Sequence, residues 1–216
     1  MDGIRVVRVK TFIAKNIGFL KRICDFLSYM MTSFMASLFQ KKHDVICVSS
    51  PQFFAAIGAW AAAKIKRVPF VFELADIWPK SILAVGQMKK SILIRMLERI
   101  ELFLYRQSAV VVALTYAFKE DLIRRGIPKE KIVVIRNGVD LSRYQPLPKN
   151  KALLTKYHFK DKLVIGYIGT HGMAQGLMNV VRVAALLKDD PSFVFMLLGA
   201  GAEKADLIAA ADSQKL

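Results

Sequence analysis

The chain has 216 residues, 54% of them hydrophobic, and a mean hydropathy of +0.34, which is enough for one large domain or two small ones with a core. Its net charge of +16 favours an anionic partner, either nucleic acid or an anionic membrane. Residues 1–150 carry 25 basic and 11 acidic side chains, against 8 and 6 in residues 151–216. Cys24 and Cys47 form no CxxC or Cys/His cluster, so a disulfide framework or zinc site is not supported and a reducing, cytosolic setting is expected.

The first predicted elements are a strand and an apolar helix. Residues 3–12 alternate and are rich in β-branched side chains, which predicts a strand. Residues 17–40 predict a helix, and its uncharged run at 26–39 is shorter than the ~20 residues needed to span a bilayer. Basic residues flank this run on both sides: Lys21, Arg22, Lys41 and Lys42. Two alternatives stay open, a helix buried in the core and an interfacial helix on an anionic membrane.

Strands and helices then alternate along the chain. Strands are predicted at 44–50, 68–76, 109–115 and 131–140, with helices at 51–66, 91–107 and 116–125 between them. In the second of these helices, apolar positions 93, 96, 97, 100, 103 and 104 predict the buried face. Thr115 is expected to cap the third helix and Gly126 to end it.

A second alternating section follows a connector that contains two prolines. It comprises strand 162–168, loop 169–176, helix 177–188, strand 193–198, loop 199–202 and a final helix. Because the strands are continuous apolar runs, they are typical of buried parallel strands. We therefore predict an α/β protein with doubly wound parallel sheets. Its predicted parts are a first domain at 1–146, a linker at 147–161 and a second domain at 162–216.

Two glycine-bearing loops each join the carboxyl end of a predicted strand to a helix. The first contains Gly169, Thr170, His171, Gly172, Gln175 and Gly176, and the second contains Gly199 and Gly201. Neither has the spacing of a Walker loop or of a dinucleotide fingerprint. Amides and a helix dipole at such a position attract anions, and His171 and Gln175 add possible donors. The alternative is a pair of tight turns, although two successive loops in one sheet favour a nucleotide site.

Two further stretches carry polar residues at strand ends. Glu73, Asp76 and Trp78 lie at the end of a predicted central strand, where open α/β sheets bind ligands. The alternatives are a helix cap for Asp76 and core packing for Trp78. The other stretch contains Asn137, Gly138 and Asp140, and in isolation it indicates only a turn after a strand.

Taken together, "FELADIWPKS", "VIRNGVDLSRYQP", "GYIGTHGMAQGL" and "LLGAGAEK" resemble family 4 of the retaining glycosyltransferases, in particular bacterial enzymes of the L-fucosamine, colanic-acid or O-antigen type. The resemblance implies a GT-B fold of two Rossmann-like domains. It also implies a UDP- or other nucleotide-sugar donor, a polyprenyl-diphosphate-linked or polysaccharide acceptor, and no metal or further cofactor. The loop residues named above would bind the donor, and Asp76 would be catalytic. The remaining cleft residues would be Glu73, Trp78, Asn137, Gly138 and Asp140.

The sequence also departs from that family in several places. Many members have Arg and Lys at the positions of Thr170 and Gln175, and His at the position of Ala75. The family's pair of glutamates eight positions apart has no counterpart among the glutamates here, which are residues 73, 98, 101, 120, 130 and 203. The strand and glycine-rich loop that open the family's first domain are expected upstream of residue 2. The resemblance thus predicts a chain truncated at both ends, with two incomplete domains and little or no turnover alone.

The resemblance and the basic first part together predict a cytoplasmic protein, held peripherally on the inner face of the plasma membrane through residues 17–42. Two alternative functions are a non-catalytic half of a split transferase and a basic nucleic-acid-binding module. The sequence shows neither a nucleic-acid-binding motif nor a basic tract interleaved with aromatic residues, so nucleic acid is not an expected partner.

Overall fold

The computed structural model describes residues 3–13, 19–50, 53–77 and 91–216. The chain divides into two compact units, Met1–Gly138 and Val139–Leu216. The predicted linker, 147–161, falls within the second unit, where Lys151–Lys156 form a short helix.

The first unit is a parallel sheet with crossover helices. Its described elements are α1 (Phe19–Leu38), β1 (Ile46–Ser49), α2 (Phe53–Lys66), β2 (Phe70–Leu74), α3 (Ile92–Gln107), β3 (Val110–Ala113), α4 (Tyr116–Arg124), a 3-10 turn (Lys129–Lys131) and β4 (Ile132–Val134). All neighbouring strands are parallel, in the order β1-β2-β3-β4. Parallel neighbours need crossover connections, which α2, α3 and α4 supply between successive strands. The predicted α/β class with parallel sheets is confirmed.

The core of the first unit gathers apolar side chains from the central strands and the crossover helices. Phe72 of β2 is 1% exposed, and its ring meets that of Tyr105 edge-on, with the centroids 4.9 Å apart. Leu104 of α3, Val111 of β3 and Leu122 of α4 are equally well buried and belong to the same cluster. Burying one such large apolar side chain stabilises the fold by about 1.5–3 kcal/mol.

Helix α1 packs on α2 through a close approach at Gly58. A Cβ at that position would lie 3.2 Å from the Met30 carbonyl oxygen and 3.3 Å from Phe34 Cβ, and Phe26 stacks on Phe54 nearby. No described side chain of α1 is fully buried. One side of the helix presents an exposed apolar stripe, formed by Leu27, Met31, Met35 and, just beyond the helix, Phe39. Among the described residues, no helix is long and apolar enough to cross a membrane.

The strand predicted at 3–12 is wrong. Residues 4–13 are irregular and lie along α1, where the Phe12 N–H donates to Ser28 Oγ at 2.8 Å. Residues 7–9, Thr11 and the facing side of α1 line a groove of about 600 Å³. Alternation predicts a strand only if a partner strand completes the ladder, and these residues pair with no described strand.

The buried face predicted for α3 is partly wrong. Leu104 is buried as expected, and Leu97 and Ile100 pack against the core, but Leu93, Met96 and Phe103 are 46%, 53% and 42% exposed. The fully buried side chains of α3 are Leu104 and three that were not predicted: Ile94, Tyr105 and the charged Glu101. Glu101 is accommodated because Tyr105 Oη donates to its Oε1 at 2.7 Å and Arg125 Nη2 donates to its Oε2. A buried charge requires such partners, and apolar periodicity does not detect them.

The second unit is smaller. Its described elements are α5 (Lys151–Lys156), β5 (Leu163–Ile168), a 3-10 turn (Met173–Gln175), α6 (Met178–Leu186), β6 (Phe193–Leu198) and α7 (Lys204–Ser213). Strands β5 and β6 are parallel and in register from Leu163 opposite Phe193 to Ile168 opposite Leu198. Its buried apolar cluster consists of Leu177, Val181 and Leu207. This unit has one βαβ crossover, with α6 between its two strands.

Candidate functional site

The carboxyl ends of β1 and β2 are tied together by Ser50, which is 3% exposed. Its N–H donates to the Glu73 carbonyl at 2.9 Å. Its Oγ accepts from the N–H groups of Ala75 and Asp76 at 3.0 and 3.2 Å, and lies 3.3 Å from the Asp76 carbonyl, to which it donates. Ser50 therefore fixes the backbone that carries Asp76. Ser50 was not among the predicted site residues, although a small polar residue at the end of a predicted strand was the available signal.

The structure brings two predicted carboxylates of the first unit to one edge of its sheet. Glu73 belongs to β2 and is exposed, and the partly buried Asp76 follows the same strand. This edge is the one at which open α/β sheets bind ligands. Trp78 lies outside the described residues, so its predicted place beside these carboxylates stays a prediction.

Asn137, Gly138 and Asp140 follow β4 and are exposed. The turn expected at Asn137 and Gly138 comes later, at 141–144. Asp140 organises it, because its Oδ1 accepts from Ser142 N at 2.9 Å and Ser142 Oγ at 2.6 Å. These hydrogen bonds lower the pKa of the Asp140 carboxyl. Gly138 does not adopt a left-handed conformation, so no turn requires a glycine there.

In the second unit, the two glycine-bearing loops extend the pairing of β5 and β6. Beyond the strands, Gly169 N donates to Leu198 O at 3.0 Å and His171 N donates to Ala200 O at 2.9 Å. The chain then turns back, and Glu203 N donates to His171 O at 3.0 Å. The two loops are thus joined through their backbones.

The spacing of the glycines in the second loop follows from this contact. A Cβ on Gly199 would overlap the Gly169 carbonyl oxygen, and one on Gly201 would overlap the backbone of His171. Both positions therefore need glycine so that the first loop can approach closely. Gly176 is required for a different reason, because it ends the 3-10 turn with a left-handed φ of 60°.

The first loop presents backbone donors at the carboxyl end of β5. No hydrogen bond joins the N–H of Thr170 or Gly172 to another described residue. By contrast, Gln175 N donates to Gly172 O at 3.1 Å, and Gly176 N donates to Met173 O at 3.3 Å. Unpaired amides between a strand and a following helix are suited to an anionic ligand. The two donors, on Thr170 and Gly172, thus lie within the predicted run of Gly169, Thr170, His171 and Gly172.

Two side chains beneath the loops have polar atoms without partners. His171 is 4% exposed, and neither its Nδ1 nor its Nε2 has a hydrogen-bond partner in the described part of the chain. The same holds for Oε2 of Glu203, the residue directly before α7. A buried polar atom without a partner costs about 1–3 kcal/mol and is uncommon. The predicted site residues include His171 but not Glu203, whose signal was a carboxylate at the start of a helix after G-x-G.

Within the ranges that the structure describes, no group of three or more His, Cys, Asp or Glu side chains is arranged to hold a metal ion.

Two units of parallel α/β structure, one with paired glycine loops at its strand ends, define a protein of Rossmann-like architecture. The model of Glycosyltransferase Family 4 matches residues 2–143 of the chain. The chain belongs to glycosyltransferase family 4, as its motifs predicted.

Curated relatives agree with this assignment. The chain is 26% identical over 210 residues to the putative colanic acid biosynthesis glycosyl transferase WcaI of Escherichia coli strain K12, covering 94% of this chain and 51% of the relative. It is 25% identical over 135 residues to the probable glycosyltransferase WbjE of Pseudomonas aeruginosa, covering 62% and 34%. The chain thus spans about half the length, or less, of the curated relatives it matches.

Solved structures show the same fold. Anabaena Alr3699/HepE in complex with UDP and glucose superposes with a TM-score of 0.65 at 19% identity, over 91% of this chain and 49% of that one. TarM of S. aureus gives a TM-score of 0.60 at 16% identity, over 86% and 34%. These neighbours are GT-B glycosyltransferases, and the predicted GT-B-like fold class is confirmed.

Proposed function

We propose that this chain is part of a retaining glycosyltransferase that moves a sugar from a nucleotide sugar to a lipid-linked or polysaccharide acceptor during synthesis of a cell-surface polysaccharide. The observation that carries the proposal is the pair of joined glycine loops at the carboxyl ends of β5 and β6, with two unpaired amides. Family membership supports sugar transfer, and the naming of WcaI supports polysaccharide synthesis. HepE has been crystallised with UDP-glucose, which supports a nucleotide-sugar donor.

The second unit contributes the donor side in this proposal. The N–H groups of Thr170 and Gly172 bind the diphosphate, because backbone donors stabilise its charge without an added cation. Gly199 and Gly201 have an indirect role, since they allow the second loop to hold the first in place. Gln175 and Gly176 shape the end of the first loop.

The first unit contributes the acceptor side, with Asp76 as the candidate catalytic residue. Ser50 fixes its backbone at the edge of the sheet, and Glu73 adds a second carboxylate there. Sugar transfer requires several preorganised charged and dipolar groups around the leaving diphosphate. Because the sequence contains no pair of glutamates eight positions apart, we infer that the 216-residue chain alone has little turnover.

The acceptor in this proposal is a polyprenyl-diphosphate-linked glycan at the inner face of the plasma membrane. Support comes from the exposed stripe of Leu27, Met31, Met35 and Phe39 on one side of α1. Exposed Lys41 and Lys42 follow the helix, and apolar and cationic groups together favour an anionic interface.

Titration of the ¹⁵N-labelled chain with UDP and UDP-glucose tests the donor proposal. We expect the amide signals of residues 169–172 and 199–203 to shift, since these residues form the joined loops. Shifts confined to the first unit, or none up to millimolar nucleotide, would contradict it. Sugar transfer by the purified chain at an ordinary enzymatic rate would contradict the proposed low turnover.

A further inference from the structure

His171 and Glu203 present an unusual combination of buried groups. Three polar atoms, both ring nitrogens of His171 and Oε2 of Glu203, have no hydrogen-bond partner among the described residues. Their backbones are directly bonded, since Glu203 N donates to His171 O at 3.0 Å. The two side chains therefore start from adjacent points at the carboxyl end of the β5–β6 sheet. Each orphaned group indicates a missing partner.

The chemistry of that partner follows from the carboxylate. An ionised Glu203 accepts hydrogen bonds and repels phosphate oxygens, so the missing partner is a donor. A neutral imidazole donates through one nitrogen and accepts through the other. Two neighbouring hydroxyl groups satisfy this set, because each hydroxyl both donates and accepts.

We propose that His171 and Glu203 bind a pair of neighbouring hydroxyls of the donor, on its ribose or on the transferred sugar, while the loop amides bind the diphosphate. The inference rests on the proposed function and divides the donor site between two chemistries. It also gives Glu203 a specificity role that sequence analysis did not assign.

The surroundings of Glu203 are compatible with this role. The carboxylate lies at the amino end of α7, where the helix dipole stabilises a negative charge. The neighbouring Lys204 directs its Nζ to the Gly199 carbonyl at 3.0 Å. The ring centroids of Tyr167 and His171 are 6.1 Å apart, and Tyr167 Oη donates to Thr170 O at 2.9 Å. Tyr167 and Lys204 are thus engaged elsewhere.

Burial of these atoms sets one requirement on binding. Since solvent does not reach His171 Nδ1, His171 Nε2 or Glu203 Oε2, the side chains must turn towards the incoming hydroxyls. After that movement, polar atoms that were buried without partners form hydrogen bonds with the hydroxyls. The movement is therefore favourable only when the hydroxyls are present. The site therefore discriminates against ligands that lack them.

The test compares four probes on the intact chain by NMR titration: UDP, 2′,3′-dideoxy-UDP, UDP-glucose and inorganic diphosphate. The variants are Glu203→Gln, which keeps the shape of the side chain, and His171→Phe. The matched control is Asp206→Asn, an exposed carboxylate in the first turn of the same helix. Retained dispersion of the spectra shows that each variant is folded, and the comparison of probes on the unmodified chain needs no variant.

If ribose supplies the hydroxyls, we expect UDP to bind about tenfold more tightly than 2′,3′-dideoxy-UDP, and Glu203→Gln to remove the difference. If the sugar supplies the hydroxyls, we expect UDP and its dideoxy analogue to bind equally well. UDP-glucose should then bind about tenfold more tightly than UDP, and Glu203→Gln should remove that difference. His171→Phe should act like Glu203→Gln, while inorganic diphosphate binds all variants alike.

Two results would overturn the inference and leave the donor proposal standing. In the first, Glu203→Gln and His171→Phe bind every probe with the same affinity as the unmodified chain. The other is an equal loss of UDP and inorganic diphosphate in Glu203→Gln, which would give Glu203 a structural role only. Failure of the unmodified chain to bind any probe would instead refute the donor site itself, and this inference with it.

Discussion

The parallel sheets of the two units are covered by other parts of the chain to different degrees. In the first, four strands and their crossover helices enclose a cluster that includes Phe72, Leu104, Val111 and Leu122 at 1% exposure or less. In the second, the buried cluster has three members, and Leu163, Ile168 and Leu198 of the sheet are each more than half exposed. Parallel sheets are normally covered on both faces, so the second unit has the weaker core.

The two units therefore differ in the interactions that hold their structure in place. Side-chain packing orders the first unit, whereas hydrogen bonds between two loops order the candidate donor site of the second. Loops with few buried apolar contacts open at low free energy, and ligand-binding segments are often of this kind. We therefore expect changes in the first unit to act mainly on stability, and changes in the second to act mainly on binding.

The largest expected effect comes from Phe72→Ala, which should lower the free energy of unfolding of the first unit by about 3–5 kcal/mol. Phe72 is 1% exposed and contacts the Tyr105 ring. Leu207→Ala should cost the second unit about 2 kcal/mol, near the lower limit for a buried leucine, because its cluster is small. Urea unfolding, followed by amide signals of each unit, separates the two. A larger effect of Leu207→Ala would reverse the comparison.

A similar loss is expected at the buried Glu101. Glu101→Ala removes the partner of the Arg125 guanidinium and of the Tyr105 hydroxyl, and breaking such a buried pair costs about 3–5 kcal/mol. Glu101→Gln keeps an acceptor oxygen and should cost less. Exposed Glu120, on α4, provides the control as Glu120→Gln. Equal losses in the control and in Glu101→Ala would show that the pair contributes nothing.

Glu101 also makes stability depend on pH. Burial raises the pKa of this carboxyl above its usual 4.5, and the hydrogen bonds from Arg125 and Tyr105 oppose that rise only in part. A raised folded pKa means that the protonated form favours folding. The stabilisation that protonated Glu101 gives to the folded state is therefore complete below pH 4.5. It is lost as the pH rises through the raised pKa of the folded state. Urea titrations across this window should show the decrease in the unmodified chain and not in Glu101→Gln.

A smaller effect, confined to the second unit, is expected from Gly199→Ala. The added Cβ would overlap the Gly169 carbonyl oxygen and force the loops apart, at a cost of about 1–3 kcal/mol. The matched control is Gly166→Ala in β5, whose Cβ would meet only the flexible end of Met196 at 3.4 Å. Unfolding of the second unit and titration with UDP should both distinguish the two variants. If both bind UDP like the unmodified chain, contact between the loops is not needed for the site.

The sequence patterns predicted features that depend on residues close together in the chain. They did not predict contacts between residues that are far apart in the chain. Strand β6 has the predicted bounds, Thr115 Oγ1 accepts from Phe118 N at 3.1 Å as a cap, and Gly126 has the expected positive φ. Ser50, by contrast, acts on Ala75 and Asp76, which lie 25 and 26 positions away. Glu101 and Arg125 are 24 positions apart, which is why periodicity did not detect that the charged Glu101 belongs to the buried face of α3.

The glycine loops show the same limit within the candidate site. Their positions at the ends of β5 and β6 follow from the alternation of apolar runs and glycines. The reason for Gly199 and Gly201, however, is the backbone of the other loop, which no local pattern contains. The pattern of residues therefore predicts the two loops, but it does not reveal that Gly199 and Gly201 are needed for the contact between them.

The smallest effects per side chain are expected for surface charge, and they sharpen the contrast between a basic first unit and a nearly neutral second one. Lys41→Ala with Lys42→Ala should weaken binding to anionic vesicles by about 1 kcal/mol per lysine, because each lysine near the surface contributes that much. Lys149→Ala with Lys151→Ala, exposed in the second unit, removes the same charge and should have little effect. Flotation with phosphatidylglycerol and with neutral vesicles measures both. Equal losses in the two double variants would mean that net charge, and not the surface next to α1, determines membrane binding.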